Sequence, residues 1–229
     1  MDTKIINEIK RYENQKLALH HASFFKTGKG QYGEGDLFLG ISVPILRQIS
    51  KKYFKEVSLN QLESLLQNPY HEIRICSLMM MVLKYQKTED KEKIFNIYMQ
   101  NLKYINNWDL VDVSAQYIVG PFLYDSIDVL LDLAKSNHLW SQRIAIIATF
   151  YNIRQGSFKN TIELSKYFLT HKHDLIHKAT GWMLREVGKR DLNLLIEFLD
   201  KHHKTMPRTM LRYSIEKLTA EQKKFYMNK

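Results

Sequence analysis

The sequence predicts an all-α protein, a right-handed α-solenoid of helix pairs around a concave basic groove. Three observations carry this. Apolar residues recur at three-to-four spacing along most of the chain. Turn formers are scarce, with four Pro and nine Gly in 229 residues, too few for a β-rich protein. One helical segment also recurs at a period of about 35 residues.

Taken in order, residues 5–25 read as a first amphipathic helix, with apolar positions at Ile5, Ile9, Tyr12, Leu17 and Leu19. The stretch 27–36, TGKGQYGEGD, is the one glycine-rich segment. Gly28, Gly30 and Gly33 satisfy G-x-G-x-x-G, but no strand precedes them and Glu34 and Asp36 follow where a phosphate would sit. The expectation is a mobile surface loop. Ser58, with Gln61 three residues on, signs a capping box before LNQLESLL. Helical spacing then marks 71–85, 91–104, 126–135, 141–153, 161–168, 175–187 and 192–199. Ser136 and Asn137 offer caps for the helix holding Trp140. Pro44, Pro121 and Pro207 each fit a first helical turn. The whole reads as one repeat domain over 1–229, clearest over 70–218.

Composition narrows the function classes. Hydrophobic residues make up 45% and charged residues 25%, a globular mix. Lys and Arg exceed Asp and Glu by 34 − 24 = 10, which favours a polyanionic partner such as nucleic acid. The single cysteine, Cys76, lies in an apolar run and reads as a buried thiol. The N-terminus lacks the apolar centre of a signal peptide, and no run reaches the ~20 residues that span a bilayer. The expectation is a cytoplasmic chain with no membrane partner.

The repeats lie over one another at 74, 108, 143 and 178: RICSL, WDLVD, RIAII and KATGW. The first row is Arg74, Trp108, Arg143 and Lys178, and one turn further lie Leu78, Asp112, Ile147 and Trp182. The first row is expected outside the core, because burying unpaired cations is costly. Each member has a plain structural reading too. Trp108 suits a core aromatic, Asp112 a partner for a neighbouring arginine, and Arg143 a bridge between helices. Asp109 competes with Asp112 but, following Trp108, also suits a helix N-terminus. Gly181 inside a helix signals close approach by a neighbouring helix or a ligand. The nine histidines, including His171, His173, His177, His202 and His203, lack zinc-site spacing, so neither metal nor cofactor is expected. A carboxylate between two indoles, with arginine at the margin, suits a sugar that acquires positive charge as a base departs. The competing reading is a non-catalytic solenoid that binds DNA structures or an acidic protein partner.

At these residues the sequence resembles the AlkD-like DNA alkylation repair glycosylases, built on HEAT-like repeats. The matching pieces are FLGISVPILRQI (38–49), NNWDLVD (106–112), LWSQRIAI (139–146), KATGWMLRE (178–186) and MPRTMLRYSIEKL (206–218). The resemblance implies a catalytic carboxylate at Asp112, sugar-flanking tryptophans at Trp108 and Trp182, and an active-site arginine at Arg143. One departure is Asn107, where the best-known members carry another tryptophan. The implied reaction is hydrolysis of the N-glycosidic bond of cationic alkylated purines, such as 3-methyladenine or 7-methylguanine, in double-stranded DNA. No lysine stands where it would form a Schiff base, so a monofunctional enzyme without strand cleavage is expected, and the resemblance implies that the base is left unflipped, which a groove without a deep pocket would suit. Arg47, Arg74, Lys178 and Arg185 are the residues expected on backbone phosphates, acting as a monomer with affinity that falls as salt rises.

Overall fold

The computed structural model describes residues 2–228. It is all-helical: among those residues the only β-type pairing is an isolated parallel bridge between Leu37 and Tyr70. The helices are Asp2–Lys10 (α1), Gln15–Phe24 (α2), Val43–Tyr53 (α3), Leu59–Leu66 (α4), His71–Tyr85 (α5), Lys91–Gln100 (α6), Trp108–Asp112 (α7), Ala115–Phe122 (α8), Ile127–Lys135 (α9), Leu139–Arg154 (α10), Lys159–Tyr167 (α11), Asp174–Gly188 (α12), Leu192–His202 (α13), Arg208–Ser214 (α14) and Ala220–Met227 (α15). The chain divides into two compact units, residues 1–118 and 119–229.

Each unit is built in the α-solenoid manner, a helix packing on its pair partner and on the next helix but one. In the first unit α5 packs on α3, α4 and α7. It is buried nearly all round, from His71 through Val82, so its apolar run serves as a central rod. Cys76 sits in it, fully buried, with the thiol pushed up to about 11 by burial. The Ser58 capping box forms as its spacing requires.

In the second unit α10, α12 and α14 stack in sequence, with α9 and α11 against α10 and α13 against α12. Two glycines set how closely these helices meet. A Cβ on Gly120 of α8 would lie 2.4 Å from the Ala148 carbonyl, and one on Gly181 of α12 2.4 Å from that of Met210. The close approach expected at Gly181 is therefore by α14.

Several local expectations are corrected. The first amphipathic stretch is two helices, because Asn14 leaves helical geometry and caps α2, its Oδ1 accepting from Leu17 N–H at 3.0 Å. His138, not Ser136 or Asn137, caps α10. Pro121 lies inside α8, in its last turn, and Pro207 is the N-cap of α14; only Pro44 stands in a first turn. The glycine-rich stretch is not a free loop throughout: Gly33 and Asp36 are buried, and Asp36 pairs with Arg74.

Candidate functional site

Helix α7 is the shortest α-helix, five residues long, and such a turn has little stability of its own. It is held from outside. Its apolar Leu110 and Val111 are fully buried. Asn107, also buried, accepts from the Trp108 N–H at 2.9 Å. Asn107 therefore caps α7 from inside the fold. Asp109 Oδ1 accepts from the Leu110 N–H at 2.9 Å, so Asp109 serves the helix start.

Anchored in this way, α7 presents Trp108 and Asp112 one turn apart, both half-buried. They line one cavity of about 530 Å³ in the first unit. Its walls are aromatic: Phe25 stacks on Trp108 with ring centres 5.2 Å apart, and Phe24 meets Trp108 edge-on at 5.9 Å. Phe38 stacks on Phe25 at 5.2 Å. Residues of α2 and of the segment after it help to wall this space, which helix periodicity does not announce. Asp112 also borders a second cavity of about 370 Å³, lined by Arg47, Lys51 and Gln116. Arg47 is exposed there.

Arg74 is not at this site. It is 3% exposed, and its guanidinium donates to Asp36 at 2.5 Å, to Asn106 at 3.0 Å and to the carbonyls of Asn68 and Pro69. The expectation that the first repeat row lies outside the core is corrected for Arg74 and Arg143, since a buried guanidinium is tolerated when paired and hydrogen-bonded. Asp36 stands 38 residues from Arg74, a separation that carries no periodic signal. It also anchors His71, whose ring packs against both Phe25 and Phe38. Burial raises the pKa of Asp36, but the His71 hydrogen bond and the Arg74 charge outweigh it and hold the carboxyl below its ordinary value.

In the second unit Arg143 is 5% exposed and donates to the Leu175 carbonyl at 2.6 Å, which ties α10 to the start of α12. Trp182 is half-buried and meets Phe150 edge-on at 5.6 Å. Lys178 bridges to Asp174 at 2.8 Å, and Arg185 pairs with Glu216. Arg74, Arg143 and Lys178 fall at the fourth or fifth residue of α5, α10 and α12, whereas Trp108 is the first residue of α7.

Sequence reasoning missed Phe24, Phe25, Phe38, His71 and Glu72. The last is legible only in three dimensions: its buried carboxylate accepts from the N–H groups of Leu39, Gly40 and Ile41 at 2.9, 2.8 and 3.2 Å. Among the described residues no cluster of His, Cys, Asp or Glu could hold a metal ion, and no helix is long and apolar enough to cross a membrane.

The family described as DNA alkylation repair enzyme matches residues 5–218. A solved structure described as a predicted DNA alkylation repair enzyme from Enterococcus faecalis superposes with a TM-score of 0.70 at 18% identity, over 91% of this chain and 97% of that one. No curated protein matches the chain.

Proposed function

The chain belongs to the DNA alkylation repair enzyme family, and from that premise we propose that it is a monofunctional DNA glycosylase acting on cationic alkylated purines in duplex DNA. The observation that carries the reading is the placing of Asp112 and Trp108 on one wall of an aromatic cavity, with Arg47 across the second cavity that Asp112 borders.

The chemistry asks little of the protein. Alkylation leaves the purine positively charged and ready to depart, so no strong general acid is needed. What the barrier requires is stabilisation of positive charge growing on the deoxyribose. A carboxylate in a partly desolvated cavity supplies that, and the indole face beside it adds an electron-rich surface. Asp112 faces the sugar and orients the attacking water, and Trp108 packs on the ring. Trp182 and Arg143 lie in the second unit, where the buried Arg143 guanidinium is engaged with the Leu175 carbonyl, and neither is given a part in this step. Arg47, Lys178 and Arg185 hold backbone phosphates, a part Arg74 is not given because its guanidinium is engaged inside the first unit. In this reading the cavity takes the sugar from the backbone side and the base stays in the helix. The protein acts as a monomer.

The test is base release from duplex DNA carrying 7-methylguanine under single-turnover conditions. Asp112→Asn keeps the shape and removes the charge. It should slow release by about 10²–10³-fold, the scale of losing one preorganised electrostatic contact, with DNA affinity changed little. Release at the wild-type rate would remove Asp112 from the chemistry. Binding by the wild type with no release above spontaneous loss would leave a DNA-binding solenoid in place of an enzyme.

A further inference from the structure

Beneath the α7 turn lies a buried charged cluster that the proposed reaction does not use directly. His71, the first residue of α5, is 2% exposed. Its Nδ1 lies 3.0 Å from Asp36 Oδ2 and its Nε2 lies 2.8 Å from Asp109 Oδ2. A carboxylate oxygen accepts and does not donate, so a ring facing one on each side satisfies both only with a proton on each nitrogen. The ring is stacked on Phe38 at 4.6 Å and lies 5.0 Å from Phe25, π faces that favour a cation. Around it Arg74 binds the other oxygen of Asp36, which also accepts from Asn106 at 2.9 Å. Glu72, its neighbour on α5, is turned to the Leu39–Ile41 backbone and lies 3.5 Å from His21. With the imidazolium present, two carboxylates (Asp36 and Asp109) meet two cations (Arg74 and His71). Without its proton a net negative charge is left buried, which is expensive.

We propose that His71 is a positioning residue: as an imidazolium bridging Asp36 and Asp109, it fixes the first turn of α7 and so the directions of Trp108 and Asp112. This rests on the glycosylase reading for its effect on rate, but not for its effect on α7. Asn106 bonds Asp36 and Arg74, Asn107 Oδ1 accepts from the Trp108 N–H while its amide nitrogen is buried without a partner, and Asp109 pairs with His71. His71 is the member that links the glycine-rich segment to α7 through one ring. The two carboxylates keep its proton well above the ordinary range despite burial, so the link is intact at neutral pH and opens in alkali.

The experiment follows the wild-type protein by ¹⁵N–¹H NMR of the histidine rings and of the Trp108 indole N–H from pH 6 to 10.5. Single-turnover base release is measured over the same range, together with His71→Gln and Asp109→Asn. Both ring nitrogens of His71 should carry protons at pH 7.5, and the Trp108 resonance should shift as they are lost. Base release should fall with the same midpoint. Each variant should release base up to about 100-fold more slowly, as for a misplaced reacting group. Each should lose that alkaline fall while its Kd for undamaged duplex stays within about threefold. A His71 that titrates near 6.5, a Trp108 resonance indifferent to it, or variants that keep the wild-type rate and alkaline fall would each overturn the proposal. Should a variant fail to fold, the wild-type titration and the Trp108 resonance decide alone. If the wild type releases no base, the glycosylase reading fails while the resonances still decide whether His71 positions α7.

Discussion

Replacing Gly181 with alanine probes the packing that carries Trp182. A methyl at 181 would stand 2.4 Å from the Met210 carbonyl oxygen and 2.6 Å from Tyr213 Cβ, against an ordinary contact near 3.4–4 Å. Both obstacles belong to α14, and the nearer is backbone, so the two helices must part by roughly half an ångström to one ångström. Overpacking of this kind costs about 1–3 kcal/mol. Alanine returns about 1 kcal/mol of helix propensity, and the rigidity of the obstacle puts the packing cost at the upper end. The expected net loss is about 1–2 kcal/mol. At about 2–4 °C per kcal/mol for a chain of this size, the melting temperature should fall by roughly 2–8 °C. Gly188→Ala is the matched control. As the last residue of α12 it gains less propensity, but the three atoms nearest its methyl all belong to the Leu195 side chain, whose Cδ2 at 2.3 Å can swing away. Urea and thermal unfolding of the two variants side by side measure the difference. If Gly181→Ala melts at or above the wild type, close approach by α14 is not what requires a glycine beside Trp182.

Two further outcomes follow from the first unit. Glu72→Ala leaves the N–H groups of Leu39, Gly40 and Ile41 without their acceptor. At about 1–3 kcal/mol for each buried orphan, partly relieved by water from the adjoining cavity, the loss should be about 3–5 kcal/mol. Glu72→Gln, which keeps one acceptor oxygen, should lose less; chemical unfolding checks both, and an alanine variant within about 0.5 kcal/mol of the wild type contradicts the assignment. The second outcome concerns pH. Burial pushes the His71 pKa down, but the charge of Asp109 and the hydrogen bonds to both carboxylates carry it up to about 9, from 6.5. A folded value above the unfolded one stabilises fully below pH 6.5, with the contribution lost as pH rises through 9. The linked energy is roughly 3 kcal/mol. Asp36, held below its ordinary 3.8, loses its contribution at the acid end, as pH falls through its folded value. Stability of the first unit measured from pH 4 to 10 should decline between 6.5 and 9, and His71→Gln should flatten that decline.

The fold was legible wherever a signal repeats along the chain. The 71–85 helix, the Ser58–Gln61 capping box and the buried Cys76 each follow from local spacing, and each is found. Gly181 was legible as a point of close approach because a helix-interior glycine carries a cost that packing must offset. The break between α1 and α2 was missed because the apolar spacing runs on across residues 11–14, while the decisive signal is the single capping oxygen of Asn14. Trp108 and Asp112 were readable as one helix face four residues apart. The aromatic cavity they line was not, since Phe24, Phe25 and Phe38 arrive from a segment 70 to 84 residues before Trp108.

The amino-acid pattern by itself determined that this chain is helical and that Trp108 and Asp112 stand one turn apart, because backbone propensity and amphipathic spacing act over a few residues. Only the tertiary structure decided that Arg74 is spent inside, that His71 stands between Asp36 and Asp109, and that Glu72 grips the Leu39–Ile41 backbone. Those choices are made by charge pairing and desolvation between residues more than thirty apart, and such forces depend on distance in space and leave no period in the sequence.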